Sequence, residues 1–396
     1  MKASENPYNP GAGAPPPELA GRDGLLRQAD TAIERARRGK PSKSFLMLGL
    51  RGVGKTVLLN ELEQSAERNG CQTAMFETDP DRPLAAQIAP QLHRILLRLD
   101  RIKKAGADMH NAFGALRSFA SVFKVQLGDF EFGLAGPAAT GDLTLDLTDL
   151  LVAIGEAAKK RETAVIILVD EIQYVQKGDL SALIMALHKI SQRQLPVLLF
   201  GAGLPQLAKL AGDAKSYAER LFDYPPIGPL DAESARLALT APAKREFVAY
   251  APEALDYVVE QTGGYPFFLQ VWGSHCWDAA AKSPITLADA KRASAAAVTA
   301  LDEGIFKVRL ARLTERQRAY ARVMAEFGGA PVNSSDIANA MGLSLSQAAP
   351  IRDELIKKGM AYSPERGLIG FTVPKFDEFM RRAVPAPKPP RKQVKK

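Results

Sequence analysis

Short apolar runs alternate with amphipathic stretches over the first half of the chain. Runs of this length are typical of buried strands, whereas apolar residues at every third or fourth position are typical of helices. One such helix is predicted over residues 84–104, where Ile88, Leu92 and Leu96 share a face. Strands that alternate with helices favour a doubly wound parallel sheet, so an α/β fold is predicted. Buried strands are predicted at 45–48, 73–77, 164–169, 196–200 and 221–224.

The alternation of strands and helices is interrupted between residues 106 and 142. Residues 122–127 and 130–134 alternate apolar and polar side chains on either side of Gly128-Asp129. That pattern is typical of a β-hairpin. We therefore expect a hairpin insertion within residues 19–226, which we call the sheet unit.

Only helical patterns follow the sheet unit. Residues 227–304, the helical unit, are expected to form a compact helical domain. Residues 305–380, the C-terminal unit, show three helical stretches and then two short strand patterns around a turn at 364–367. Three helices followed by a strand pair is the order of elements in a winged helix-turn-helix.

Both ends of the chain differ in composition from the rest. Residues 1–18, the N-terminal segment, are rich in Pro, Gly, Asn and Ala. They lack the basic start and apolar stretch of a signal peptide and are predicted to be disordered. Residues 381–396 are Pro-rich and basic, and they supply all but one of the net +8 charges. Such a tail fits a nucleic-acid-binding arm and a solubilising tail equally well.

Composition also bounds the cellular setting. The chain has no run of about 18 apolar residues, so no transmembrane helix is predicted. Cys71 and Cys276 are distant in sequence and match no metal or redox spacing, and the four histidines form no ligand pattern. We therefore expect a reduced, cytoplasmic setting.

Residues 49–56, the glycine loop, match the pattern G-x-x-x-x-G-K-[ST]. A predicted strand precedes the loop and a helical pattern follows it, an arrangement in which backbone N–H groups point at a phosphate. Lys55 is expected to reach the β- and γ-phosphates, and the Thr56 hydroxyl is expected to hold Mg²⁺. Arg51 is either an extra charge beside the nucleotide or an exposed loop residue. The predicted nucleotide contacts in this region are Gly49, Arg51, Gly52, Val53, Gly54, Lys55, Thr56 and Val57.

Two carboxylates, Asp170 and Glu171, follow the apolar run at 164–169. Open α/β sheets bind their ligands at the carboxyl ends of the strands. Asp170 is expected to orient the ligands of Mg²⁺, and Glu171 is expected to polarise the attacking water. The alternative is a pair of exposed acids that merely ends a strand. Opposite a glycine loop we favour the catalytic interpretation.

With these motifs the chain resembles the AAA+ ATPases of the initiator and origin-recognition branch, which shades into the archaeal-type and signalling STAND ATPases. The resemblance extends over residues 19–380. It implies a P-loop NTPase αβα sandwich, a helical lid and a winged helix-turn-helix. It also implies ATP and Mg²⁺ as cofactors.

The same resemblance assigns roles to residues outside the glycine loop. Residues 20–23 are similar to the N-terminal box of the family, which implies that Gly21 and Arg22 lie against the adenine. Tyr265 and Pro266 resemble the turn that touches the base, although they would equally suit a helix start. Arg220 lies where the family places its arginine finger, which would act on a neighbouring subunit's nucleotide and implies nucleotide-dependent self-association. An Arg at a helix end also complements the helix dipole.

Two features depart from the family pattern. Members usually carry a polar residue at the tip of the fourth strand, where residues 200–203 are Phe-Gly-Ala-Gly. The helical unit also shows no clear second sensor arginine. Slow, switch-like hydrolysis fits both departures.

The third helical stretch of the C-terminal unit carries the candidate contacts to nucleic acid. Side chains at its start can reach base edges, and basic residues further along can touch phosphates. Asp353 and Glu354 lie on the same helix, and Pro350 is expected to kink or shorten it. Residues 301–380 hold eleven basic and ten acidic residues, so DNA binding and protein docking both stay open. The candidates are Ser344, Ser346, Gln347, Arg352, Lys357 and Lys358.

Two functions are compatible with the sequence. The favoured one is an ATP-binding, ATP-hydrolysing switch that couples its nucleotide state to duplex DNA or a protein partner through the winged helix. The alternative is a regulatory module that holds nucleotide with little hydrolysis and docks a protein. The basic tail favours the first function, and the departures from the family pattern favour the second.

Overall fold

The computed structural model describes residues 1–11, 13–102, 106–127 and 139–386. Within its described residues the sheet unit has five strands, all of them parallel, in the order β2-β3-β4-β1-β5. This confirms the predicted α/β class and parallel sheet. Its elements are α1 (Asp23–Arg37), β1 (Ser44–Leu48), α2 (Lys55–Arg68), β2 (Gln72–Glu77), α3 (Leu84–Ile102), α4 (Ala107–Val122), α5 (Leu143–Lys159), β3 (Val165–Asp170), α6 (Lys177–Gln192), β4 (Val197–Gly203), α7 (Leu207–Ala214), α8 (Ala218–Leu221) and β5 (Phe222–Asp223).

Strand β3 explains why the sheet is covered on both faces. Every residue of β3 is buried. Ile167 and Val169 belong to the core formed with α3, α4, α5 and α6, whereas Ile166 and Leu168 belong to the core formed with α1 and α2. Successive side chains of a strand point to opposite faces, so an uninterrupted apolar run fits a central strand between two helix layers.

The insertion between residues 106 and 142 begins with a helix, so the predicted hairpin is wrong where the structure describes it. Val122, expected to start a strand, is the last residue of α4. Met109, Leu116 and Phe119 are buried, and α4 packs against α3 and α5. Their separations of seven and three residues indicate one face of a helix, and burial on the neighbouring helices overrides the short alternation at 122–127. Residues 128–138, which hold most of the expected hairpin, lie outside the described residues.

The helical unit is built around Trp272, which is fully buried and donates its indole N–H to Ser294 at 2.7 Å. Asp231 caps the first helix by accepting from the Ser234 N–H at 2.8 Å, and Thr286 and Asp289 form a capping box. These caps satisfy the free N–H groups of a helix start. The helices are α9 (Ala232–Arg245), α10 (Pro252–Thr262), α11 (Pro266–Ala279) and α12 (Leu287–Leu301).

The C-terminal unit contains five α-helices and a three-stranded antiparallel sheet in the order β6-β8-β7. Pro350, expected to kink or shorten its helix, lies inside the helix Leu345–Lys357 without shortening it. Assignment of this unit as a winged helix stays a prediction. After a π-helix at Asp302–Phe306, its elements are α13 (Lys307–Ala311), α14 (Glu315–Glu326), β6 (Val332–Asn333), α15 (Ser334–Ala340), α16 (Leu345–Lys357), β7 (Ala361–Tyr362), β8 (Leu368–Phe371) and α17 (Phe376–Ala383).

Helix α17 changes the start of the expected basic tail. Arg381 and Arg382, counted as the first tail residues, lie on this helix. Arg381 pairs with Asp377 at 3.0 Å, and Arg382 pairs with Asp302 at 2.9 Å. Both are therefore engaged in structural ion pairs. Residues 387–396 lie outside the described part of the chain.

The helical and C-terminal units share one hydrophobic core. A single cluster of buried residues runs from Trp272 through Phe306 to Tyr320 and Phe376. Phe306 lies in the π-helix between the units, with its ring 5.6 Å from that of Phe376. Since the two units are packed together without a break, they are expected to move as one body.

The N-terminal segment packs against the helical unit, whereas the sequence predicted disorder. Tyr8 is 6% exposed, and its hydroxyl donates to the Leu239 carbonyl at 2.6 Å. The Trp277 indole donates to the Lys2 carbonyl at 2.9 Å. A Cβ at Gly273 would lie 2.6 Å from the Tyr8 ring, so the glycine makes room for this anchor. Composition alone predicts disorder here because it does not reveal that one aromatic residue, Tyr8, has a partner far along the chain.

None of the helices within the described ranges combines the length and the apolar character needed to cross a membrane.

Candidate nucleotide site

Close packing of backbone fixes the shape of the glycine loop. The loop joins the end of β1 to the start of α2, and Gly52 and Gly54 adopt φ values of 86° and 90°. Gly49 donates its N–H to the Gly203 carbonyl at 3.0 Å, and a Cβ on Gly49 would lie 2.2 Å from the Ile227 oxygen. Glycine is required where φ is positive or where backbone approaches this closely. The pattern of glycines therefore has a local physical reason.

One of the two charged residues of the loop, Lys55, is buried. Lys55 is 6% exposed, and its ammonium group donates to the Leu50 carbonyl at 3.0 Å. Burial lowers the pKa of Lys55, and the charges of Glu171 and Asp170 partly offset this shift. A cation withdrawn from water next to free N–H groups is well suited to bind phosphate.

The residues predicted to hold Mg²⁺ lie at the ends of α2 and β3 that face each other. The Thr56 hydroxyl donates to the Asp170 carboxylate at 2.5 Å. Glu77 on β2 pairs in register with Asp170, so a further carboxylate lies at the same edge. Mg²⁺ is usually bound by one or two protein oxygens together with waters and substrate phosphates, and the Thr56–Asp170 pair fits such a site. Within the described residues, no group of three His, Cys, Asp or Glu side chains is placed to enclose a metal ion.

Glu171 is held from three sides at the end of β3. Its φ is 50°, and its N–H donates to the Asp170 carboxylate at 2.8 Å. One carboxylate oxygen accepts a hydrogen bond from the Gln173 amide, and the other lies 3.6 Å from an Arg51 guanidinium nitrogen. A left-handed conformation at a non-glycine residue is uncommon and concentrates at functional sites.

Gln173 occupies the space at the tip of β4, where the sequence lacks a polar side chain. Besides donating to Glu171, its amide oxygen accepts from the Leu204 N–H at 3.1 Å. A Cβ at Gly203 would lie 2.5 Å from that oxygen. The small residues of β4 therefore leave room for a polar group from the neighbouring strand end. Sequence reasoning missed Gln173, although its position two residues after Glu171 offered a local signal.

A cavity of about 340 Å³, which we call the loop cavity, lies beside the glycine loop. Its volume falls within the range of small-molecule sites. Tyr265 and Pro266, predicted to contact the base, line it together with Phe267 and Phe268. Phe267 donates its N–H to the Gly52 carbonyl at 3.1 Å, which ties the start of α11 to the loop. The residues of the glycine loop that line the cavity, together with Val57 directly after it, are Arg51, Gly52, Val53, Gly54, Lys55 and Thr56.

The predicted N-terminal box contributes one cavity residue and one packing residue. Arg22 lines the loop cavity and donates to the carbonyls of Val53 at 3.3 Å and Gly228 at 2.6 Å. Burial lowers the pKa of Arg22. Gly21 instead packs against Ser234, since a Cβ there would lie 2.7 Å from the Ser234 hydroxyl. The box thus joins the glycine loop to the helical unit.

The C-terminal unit reaches the loop cavity as well, which the sequence did not predict. Ile305, Arg309 and Val373 line it. The Arg51 N–H donates to the Thr372 carbonyl at 3.0 Å, so the backbone of the glycine loop is bonded to this unit. These residues lie hundreds of positions from the loop in sequence, and no local pattern marks them.

The other predicted site residues lie away from the loop cavity. Arg220 is exposed on α8 and does not line it. Within α16, the side chains of Ser344 and Gln347 form a capping box, and Ser346 is exposed beside them. Lys357 is also exposed.

Two basic candidates of the C-terminal unit are engaged within it. Arg352 donates to the Ser363 hydroxyl at 2.9 Å. Lys358 donates to the Arg312 carbonyl and to the Gln317 amide oxygen, both at 2.8 Å. These bonds leave the two side chains less free to reach a phosphate than the exposed Lys357.

A strand, glycine loop and helix, with carboxylates at the end of β3 and a cavity beside the loop, are the features of a P-loop nucleotide-binding site. Residues 18–200 match the family model described as AAA ATPase domain. Residues 18–200 therefore form an AAA ATPase domain, and the site has the parts of a nucleotide-binding site. Residues 303–380 match a second model, described as a domain of unknown function (DUF8462).

A solved structure with a TM-score above 0.5 supports the fold at low sequence identity, and others are similar at lower scores. The Walker-type ATPase PABY2304 of Pyrococcus abyssi is 15% identical, with a TM-score of 0.54, and the match covers 92% of this chain and 96% of that one. The Aeropyrum pernix Orc1 protein, solved in complex with DNA, is 15% identical with a TM-score of 0.46, covering 92% and 93%. The Holliday junction branch migration motor RuvB of Thermotoga maritima is 14% identical with a TM-score of 0.44, covering 89% and 92%. No curated protein sequence matches the chain.

Proposed function

We propose that this protein is an ATP-hydrolysing switch that uses Mg²⁺ and couples its nucleotide state to a partner of the C-terminal unit. One observation carries the proposal. The Thr56 hydroxyl donates to the Asp170 carboxylate at 2.5 Å beside the glycine loop. Thr56 and Glu171 both line the loop cavity. A phosphate-binding loop, a metal-holding pair and a carboxylate base are the parts that phosphoryl transfer to water requires.

Each residue of this group has a distinct task in the proposed reaction. Lys55 neutralises charge on the β- and γ-phosphates, while Thr56 and Asp170 hold Mg²⁺. When bound between these residues, Mg²⁺ would neutralise further phosphate charge. Glu171 orients a water molecule and accepts its proton, since a carboxylate within hydrogen-bond reach can act as a general base.

The base of the nucleotide is assigned to the apolar side of the loop cavity. Tyr265 and Pro266 supply a ring and a rigid helix start there, and Phe267 anchors that start to Gly52. Aromatic faces bind planar rings by stacking. Arg22 holds the opposite wall in place through its bonds to the Val53 and Gly228 carbonyls.

Self-association is proposed through Arg220. Its exposure on α8 leaves the guanidinium group available to a second copy of the chain. An arginine supplied by a neighbouring subunit stabilises the charge of the transferred phosphoryl group. Arg220→Ala is expected to abolish the rise of turnover per subunit with protein concentration. A strictly monomeric ATP-bound state with unchanged turnover in this variant would contradict the assignment.

Duplex DNA is the partner that we propose first for the C-terminal unit. Ser346 and Lys357 are exposed on α16, and the cap residues Ser344 and Gln347 lie at its N-terminal end. Helix starts with short polar side chains can reach base edges in the major groove. The seven basic residues of the tail region 381–396 add charge for phosphate contacts, although two of them are tied to α17.

A regulatory module with little hydrolysis is the second candidate, and one contact favours it. Arg51 lies 3.6 Å from the Glu171 carboxylate, and its backbone is bonded to the C-terminal unit at Thr372. A base held in this way is less free to orient water. In such a protein the C-terminal unit would recruit a protein rather than DNA.

Steady-state ATP turnover separates the two candidates. Turnover would be measured across a protein concentration series, with and without duplex DNA at fixed salt. Glu171→Gln is expected to bind ATP and lose turnover, and Lys55→Ala is expected to lose binding. Stimulation by DNA and by protein concentration supports the switch. Tight ATP binding with negligible turnover, indifferent to DNA, would favour the regulatory module.

A further inference from the structure

One cation of the loop cavity comes from outside the AAA ATPase domain. Arg309 lies on α13, just after the π-helix that leaves the helical unit. Its side chain lines the loop cavity together with Lys55 and Glu171. Arg309 falls within the region that matches the domain of unknown function. The C-terminal unit thus places a positive charge at the site where nucleotide phosphates are proposed to bind.

The guanidinium group of Arg309 has only weak partners. One of its nitrogens lies 3.5 Å from the Gly359 carbonyl and 3.8 Å from the Met360 sulfur. Across the described ranges, no carboxylate oxygen lies within the 4.0 Å of an ion pair to it. Burial and then repulsion from Arg51 lower the pKa of Arg309 to about 10, so the group stays protonated at neutral pH. The charge of Glu171 acts on Arg309 only from beyond ion-pair distance, so this half-buried cation gains from an anion that binds next to it.

The other basic residues of the cavity are already engaged. Arg22 donates to two backbone carbonyls, and Lys55 donates to the Leu50 carbonyl. Arg51 lies near Glu171 and donates to the Tyr174 hydroxyl at 3.1 Å. Of the four described basic residues that line the cavity, Arg309 has the weakest contacts and the most to gain from an anion.

Close packing holds Arg309 in position. The C-terminal unit lies against the glycine loop, since the Arg51 N–H bonds to Thr372 and a Cβ at Gly359 would lie 2.7 Å from the Tyr174 hydroxyl. The left-handed backbone of Gly359, with a φ of 65°, permits this approach. These contacts hold the backbone of the C-terminal unit beside the glycine loop, so an anion can bind Arg309 without the entropy cost of docking the whole unit.

We propose that Arg309 binds the γ-phosphate of bound ATP, so that the C-terminal unit itself detects whether a γ-phosphate is present. This inference rests on the proposed ATP switch. Loss of the γ-phosphate removes the anion that Arg309 neutralises. The contact of the C-terminal unit with the glycine loop then weakens, and the unit becomes available to its partner together with the helical unit that shares its core.

Nucleotide affinity tests the inference in full-length protein that carries Glu171→Gln to prevent hydrolysis. Dissociation constants for ATP, ADP and AMP would be measured for Arg309→Gln, Arg309→Lys and a control, Arg312→Ala. Arg312 is exposed near the end of the same helix and does not line the cavity. A hydrogen bond to a charged group corresponds to about a tenfold change in affinity or more. Arg309→Gln should therefore weaken ATP binding about tenfold relative to ADP and AMP, Arg309→Lys should restore part of the loss, and the control should match the parent.

A second readout reports the movement of the C-terminal unit. Hydrogen exchange at residues 359–373 is expected to be slower with ATP than with ADP in the parent, and the difference is expected to vanish in Arg309→Gln. If neither the ATP-to-ADP affinity ratio nor the exchange difference changes in Arg309→Gln, the inference is overturned, although ATP binding itself stays intact. Failure of the parent to bind ATP at all would instead refute the proposed function, and the inference with it.

Discussion

At Gly49 the backbone of the glycine loop passes so close to Ile227 that no side chain fits. Gly49→Ala should destabilise the protein by about 2–4 kcal/mol, because a Cβ 2.2 Å from a carbonyl oxygen forces backbone to move. Gly178→Ala is the matched control, since a Cβ there meets nothing within 4 Å and the residue lies in the first turn of α6. It should be neutral or stabilising by about 0.5 kcal/mol. Urea unfolding of both variants measures the difference, and equal stabilities would contradict the close approach.

Gln173 illustrates how a polar group can be supplied from an unexpected position. We predict that Gln173→Ala lowers the turnover number about tenfold or more, because Glu171 loses the amide that orients it. The Kd for ATP should change little, since Gln173 does not line the loop cavity. Gln173→Asn, with a shorter side chain, should also fail to restore turnover. Unchanged turnover with an intact fold would show that Glu171 is positioned without this bond.

Among the elements, the N-terminal segment has an anchor that can be tested directly. Tyr8→Ala should lower the free energy of unfolding by about 3 kcal/mol, as expected for a large buried side chain, and Tyr8→Phe by about 1 kcal/mol through loss of the hydroxyl bonds. Both variants should release nucleotide faster, because Asn9 and Pro16 line the loop cavity. Glu5→Ala serves as the control, since its ion pair with Lys2 is exposed. Stopped-flow release of a fluorescent nucleotide, with equal rates in all variants, would refute the anchoring role.

Local patterns were sufficient for most of the sheet unit. The apolar run of β3 and the glycine spacing of residues 49–56 are determined by neighbouring residues, so they could be predicted from the sequence. The helix at 107–122 was missed because a short alternation beside it was given more weight than the spacing of its apolar positions.

Contacts between distant residues set the limit of prediction for the candidate site. Arg309 and Thr372 approach the glycine loop only because the C-terminal unit packs onto it. Tyr8 is anchored by burial of its ring and by hydrogen bonds of its hydroxyl to the Leu239 carbonyl and the Tyr250 hydroxyl. Such partners are set by tertiary packing, and a single sequence contains no periodicity that reveals them.

At the scale of the whole molecule, the shared core predicts that the helical and C-terminal units unfold together. The sheet unit, which has its own cores, is expected to unfold separately. Phe379→Leu should destabilise the C-terminal unit by about 1–2 kcal/mol and should also accelerate hydrogen exchange in α11 and α12, since one cluster of buried side chains spans both units. Exchange in β3 and β4 should be unaffected. Phe200→Leu, placed in the core of the sheet, should give the opposite pattern. Acceleration confined to α14 and α17 in Phe379→Leu would show that the two units are energetically separate.

The anchoring of Tyr8 also has a consequence during synthesis on the ribosome. Tyr8 is translated early, whereas Leu239, which accepts its hydrogen bond, follows 231 residues later. At about 5–20 residues per second, the interval is on the order of ten seconds or more. The nascent sheet unit is complete before that partner exists, so it can begin to fold with one wall of its cavity missing. The first residues to leave the ribosome are thus among the last to reach their native positions. A newly made chain reaches its full affinity for nucleotide only after the helical unit has left the exit tunnel.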